Sequence, residues 1–161
     1  MLGGYISDLE VGDEFEPVRF TLSALMASEY AHAMEENHEW FHSAVPPFGR
    51  QVRMPTVVHC DKMMLLEANC LKERRLSGEK AADARIHYEY DAHHHTPAYV
   101  GEELILSGRI IEKYTKKGRD YIRYEIEVHA GDGRLVTTYT DRTLLRYARD
   151  TDLPEKAGEQ K

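Results

Sequence analysis

The stretch Glu36-Asn37-His38-Glu39-Trp40-Phe41-His42 gathers proton-handling side chains into seven positions. Histidine titrates near neutrality, so His42 can serve as acid or base. Glu39 lies three residues before His42, and in a helical turn the two share one face. Asn37 can orient a water but cannot take its proton. Glu36 and Glu39 are the carboxylates at hand. Trp40 and Phe41 suit the wall of an apolar pocket and equally suit a core. A second run, His93-His94-His95, puts His93 and His95 on one face of a strand. Only Asp91 offers a nearby acidic ligand, so no metal is expected there, although one of these imidazoles can line a pocket. Cys60 and Cys70 fall ten residues apart in one predicted helix, too far to pair. They have no metal-ligand spacing and read as small buried side chains in a reducing compartment.

Regular elements must hold these groups. Glu14–Phe20 partly alternates polar and apolar residues and predicts a strand, placed at a sheet edge by Pro17. Thr21 or Ser23 can cap a helix whose stripe is Leu22, Leu25, Met26, Tyr30, Ala33 and Met34, ending near Glu35–Asn37. Pro46, Pro47 and Gly49 exclude regular structure after it. Pro55 suits the first turn of a second helix, near Pro55–Leu71, apolar on more than one face and so covered on most sides. Asp61, Lys62, Glu67 and Lys72 read as its solvent-facing or subunit-facing strip. Arg74–Asp83 reads as an exposed charged loop.

Strands follow at Ala84–Tyr90, Glu103–Tyr114, Asp120–Ala130 and Leu135–Tyr147. Short turns at Lys116-Lys117-Gly118-Arg119 and Gly131-Asp132-Gly133 make the last three an antiparallel meander. Neither the helix nor the meander can bury its apolar face alone, so they share a core. The expected fold is α+β: a single hotdog domain over residues 1–149, with an antiparallel sheet wrapped around a central helix, then a charged, frayed tail over 150–161.

Composition narrows the function. The chain has 161 residues, 42% hydrophobic and 30% charged, which suits one globular domain with one core. A net charge of −7 disfavours nucleic acid and anionic lipid as partners. The basic clusters Lys72–Arg75 and Lys113–Arg119 read as solvated surface. No segment reads as a signal peptide or membrane span, so a cytoplasmic protein is expected.

Three stretches carry a family resemblance over about Ile6 to Arg146. Leu9-Glu10-Val11-Gly12-Asp13 resembles the N-terminal "vGD" turn of MaoC-like hydratases and dehydratases of the hotdog superfamily, which include the (R)-specific enoyl-thioester hydratases. Thr96-Pro97-Ala98-Tyr99-Val100-Gly101-Glu102-Glu103-Leu104 resembles their "P-x-x-x-G-D-x-L" start of the long strands. Tyr30 to Ala44 lines up with their active-site segment, roughly Asp-x-Asn-Pro-(apolar)-His. On that alignment His42 falls on the catalytic histidine, Asn37 on the aspartate, Glu39 on the asparagine and Trp40 on the proline.

The resemblance implies addition or removal of water on an enoyl or 3-hydroxyacyl thioester of coenzyme A or acyl carrier protein, with no separate cofactor. His42 would be the acid/base, with Asn37 or Glu39 orienting or activating the water. Backbone N–H groups near Met54, Thr56 and Val57 would hold the carbonyl at the central-helix N-terminus. Gly49 would allow close approach of the ligand, and Trp40 and Phe41 would wall the acyl chain. A homodimer or higher homo-oligomer, with sites near the subunit interface, is also implied. Because Asn37 replaces the aspartate, two alternatives stand beside the hydratase: an acyl-thioester hydrolase using Glu39 or Glu36, and a non-catalytic binder of acyl thioesters or other small ligands.

Overall fold

The computed structural model describes residues 5–71 and 86–145. The expected loop Arg74–Asp83, the Lys72–Arg75 cluster and the C-terminal tail lie outside these residues. The first strand, β1, is Val18–Thr21, followed by helix α1, Ala24–Ala33. A 3₁₀ turn covers Glu39–Phe41; another, Pro55–Val57, runs into helix α2, Val58–Asn69. Then come β2 (Ile86–His94), β3 (Glu103–Lys116), β4 (Arg119–Ala130) and β5 (Leu135–Leu144). The strands form one antiparallel sheet in the order β1-β3-β4-β5-β2.

The sheet curls over α2, which is the hotdog arrangement. Leu65 and Leu66 of α2 are buried with Leu104, Leu106 and Ile110 of β3, Ile126 and Val128 of β4, and Tyr139 of β5. Removing such apolar surface from water drives the assembly. Gly108 sets how closely the helix approaches the sheet. A Cβ there would lie 2.6 Å from the Glu125 carbonyl oxygen and 3.3 Å from Leu65 Cδ2. Gly108→Ala is therefore expected to cost about 1–3 kcal/mol, read as a lower urea midpoint. An unchanged midpoint would contradict this packing.

Several local expectations change. β1 begins at Val18 rather than Glu14, because Pro17 has no N–H to give; Glu14 makes only an isolated bridge to Arg109. Ser23 is the α1 cap, its hydroxyl accepting from the Met26 N–H at 3.1 Å. The expected outer strip of α2 is corrected at two positions. Asp61 is 2% exposed and Lys62 is 3% exposed, because each finds a buried opposite charge. Cys60 is exposed rather than buried, while Cys70 is buried as expected.

Polar side chains also tie elements together. Asn69, fully buried at the end of α2, accepts from the Glu16 N–H at 2.8 Å and donates to the Glu16 carbonyl at 3.0 Å. That pair satisfies the Glu16 backbone, which lies between the Phe15 bond to β3 and the start of β1.

Candidate active site

Residues 39–52 form a flap folded against the end of the sheet. The Val52 N–H donates to the Trp40 carbonyl at 3.0 Å, and the Gln51 amide donates to the Phe41 carbonyl at 2.7 Å. The Trp40 indole N–H donates to the Pro46 carbonyl at 3.0 Å, and its ring meets Phe48 edge-on at 5.1 Å. Under this flap lies a half-open, largely apolar cavity of about 330 Å³. Trp40, Phe41 and Phe48 cover one side. Arg53 and Pro55 bring the start of the central helix to it. His94, His95 and Thr137 line the wall provided by the ends of β2 and β5.

The residues singled out from the sequence separate here. Trp40 and Phe41 line the cavity. His42 does not; it borders a shallow surface hollow with Ser28, Glu29, His32 and Ala33. Its Nε2 lies 2.9 Å from the Glu36 carbonyl oxygen. Asn37 donates to the Glu35 carbonyl at 3.4 Å, and Glu39 is exposed. The Glu39 carbonyl accepts from the N–H groups of His42 at 3.1 Å and Ser43 at 2.8 Å. Gly49 takes a positive φ of 65° in a turn whose N–H donates to the Val45 carbonyl, so glycine there serves the chain reversal.

The central-helix start stands between two cavities. Met54 and Val57 line a second cavity, of about 360 Å³, between α1 and α2. Thr56 is held by the Tyr30 hydroxyl, which donates to the Thr56 carbonyl at 3.0 Å. Arg53 borders both cavities. Its guanidinium donates to both oxygens of Asp61, at 2.9 and 2.8 Å, and both side chains are nearly inaccessible to water. Burial holds the Asp61 carboxyl above its usual value, and the fork-shaped guanidinium offsets that only in part.

A second charged cluster lies between α2 and the β2–β5 edge. The fully buried Asp141 carboxylate accepts from Lys62 Nζ at 3.0 Å, the Tyr139 hydroxyl at 2.6 Å and the Thr143 hydroxyl at 2.7 Å, and His87 Nδ1 also contacts it. Burial pushes the Asp141 carboxyl up. The Tyr139 hydroxyl, the Lys62 ammonium and the Thr143 hydroxyl outweigh that and hold it below its usual range. His59, His87 and Asp141 offer ligand atoms within 4.8 Å of one another, the spacing of a metal centre. However, Lys62 Nζ lies 3.4 Å from His87 Nδ1 as well as 3.0 Å from Asp141. The Lys62 ammonium thus already engages two of the three groups, and Lys62, Asp141 and His87 form an internal polar network.

Sequence reasoning missed Arg53, Phe48 and Thr137 as wall residues. It noticed His94 only within the histidine run. No signal within either strand shows it: His94 stands opposite Thr137 through the β2–β5 register.

The fold and this cavity define a hotdog domain with a half-open apolar pocket at the central-helix start. Solved structures share the fold. A MaoC-like dehydratase from Rhodospirillum rubrum matches with a TM-score of 0.67 at 17% identity, over 89% of this chain and 97% of that one. The (R)-hydratase PhaJ1 from Pseudomonas aeruginosa matches at 0.68 and 12% identity, over 88% and 85%. The HadBC 3R-hydroxyacyl-ACP dehydratase complex from Mycobacterium tuberculosis matches at 0.66 and 17%, over 83% and 96%. No family model and no curated protein sequence matches the chain. Among the described residues, no helix is long and apolar enough to cross a membrane.

Proposed function

We propose that this protein adds water to an enoyl thioester, or removes it from a 3-hydroxyacyl thioester, carried on coenzyme A or acyl carrier protein. The observation that carries this reading is the apolar cavity of about 330 Å³ set against the first turn of the central helix. An acyl group fits a pocket that is mostly apolar with a few polar groups at its wall. Pro55 brings to that pocket the start of the central helix, whose positive dipole end suits a thioester carbonyl gaining negative charge, although the Val57 N–H already donates to the Met54 carbonyl at 3.4 Å. The structural neighbours described as (R)-hydratase and 3R-hydroxyacyl-ACP dehydratase support the same chemistry. The reaction needs no cofactor beyond the carrier of the acyl group.

The functional unit in this proposal is a homodimer. Among the described residues, β2 forms one of the two edges of the sheet, opposite β1, and leaves Tyr88 59% exposed and Tyr90 54% exposed. A second copy pairing along that edge would cover both. Equilibrium sedimentation is expected to give twice the monomer mass of 18.6 kDa.

The decisive test is an incubation with crotonyl-CoA, following the enoyl absorbance and free thiol separately. Loss of absorbance without thiol is the expected result. Thiol release, from this substrate or from a saturated acyl-CoA, would instead show a thioesterase. Binding without turnover would leave a non-catalytic acyl-thioester binder.

A further inference from the structure

We infer that His94 is the acid–base residue of this cavity, in place of the histidine that the sequence alignment selects. The inference rests on the thioester reading above. His94 lines the cavity wall, whereas His42 faces the separate hollow beside α1. The Nδ1 of His94 lies 3.3 Å from the Thr137 hydroxyl, which lines the same cavity. That contact fixes the ring and leaves Nε2 with no protein partner among the described residues. In neutral His42 the bond to the Glu36 carbonyl puts the proton on Nε2, because a carbonyl only accepts. His95 also reaches the cavity, but its Nε2 is engaged by the Thr138 hydroxyl at 3.1 Å.

The surroundings suit a neutral base. Burial pushes the His94 imidazole below its usual value of 6.5, and His93, Arg53 and His95 push the same way. His93 and His95 act from its own strand and the residue after it. Arg53 acts from the segment before α2, with Asp61 as its counter-charge. β5 contributes the uncharged Thr137, and the flap contributes aromatic rings.

The step balances with one water. His94 takes a proton from the water as its oxygen bonds to the β-carbon. The π pair moves to the α-carbon as a thioester enolate, which takes that proton back from the imidazolium. One water is added across the double bond and neutral His94 is restored.

The test is hydration of crotonyl-CoA by the native protein, His94→Gln and Thr137→Val. Gln keeps a polar side chain opposite Thr137 but moves no proton. His94→Gln is expected to lower kcat/KM at least ~100-fold, with 3-hydroxybutyryl-CoA still bound within about threefold. The native kcat/KM should fall on acidification through a value below 6.5, and Thr137→Val should move that limb. Thr137→Val should also lower kcat with KM unchanged. A native enzyme that hydrates, with His94→Gln retaining activity within about threefold, would overturn this inference and leave the function intact. A native protein that performs no hydration overturns the function reading, and this inference with it.

Discussion

Asp61→Ala is expected to lower the unfolding free energy by about 3–5 kcal/mol. The substitution strands the Arg53 guanidinium, only 6% exposed, without its carboxylate. A buried charge that loses its partner keeps its desolvation cost and loses the attraction that offset it. The bidentate geometry sharpens the effect, because two hydrogen bonds at 2.9 and 2.8 Å are lost together. Urea denaturation reads the change directly. The double variant Arg53→Met, Asp61→Leu removes both charges and fills similar space, so it should recover most of the loss. If Asp61→Ala costs under about 1 kcal/mol, the pair is not dry in solution. Arg53 also borders both cavities, so losing its anchor is expected to weaken ligand binding even below the unfolding temperature.

Asp141→Asn carries the second large effect. The neutral amide leaves the Lys62 ammonium, 3% exposed, without its anionic partner. A loss of at least ~3 kcal/mol at pH 7 is expected on the same ground. Its pH dependence gives a signature of its own. The folded Asp141 carboxyl sits below its ordinary value of 3.8, so folding favours the ionised form. The stabilisation is fully present above the unfolded value and disappears as pH falls through the folded one. Native protein should therefore lose stability on acidification below about pH 4, where the ordinary carboxyl begins to protonate. Asp141→Asn should lack that part of the loss, so the two curves converge in acid. Parallel curves from pH 7 to pH 3 would show that Asp141 carries no net preference for the charged state.

Much of the fold was legible because local chemistry and global arrangement agree. Ser23 caps α1, Pro55 starts the helical turn before α2, and Lys117-Gly118 reverses the chain between β3 and β4 with positive φ at both residues. Alternation in β3, β4 and β5 follows one buried face, so their order and pairing could be read from the sequence. The site was less legible. The segment 37–42 was found by its residue types, yet its backbone turns Trp40 and Phe41 inward and His42 outward, and residue types do not fix that rotation.

By itself, then, the sequence determined the α+β class, the central helix at Pro55, the meander and the irregular stretch at Pro46, Pro47 and Gly49. These depend on periodicity, capping and turn residues, which act over a few neighbours. Only the tertiary structure decided that Asp61 and Lys62 are buried, because their partners Arg53 and Asp141 lie 8 and 79 positions away. It alone brought His94 and Thr137, 43 positions apart, to one wall beneath Trp40. Long-range charge pairing and strand register make those choices, and no local pattern encodes them.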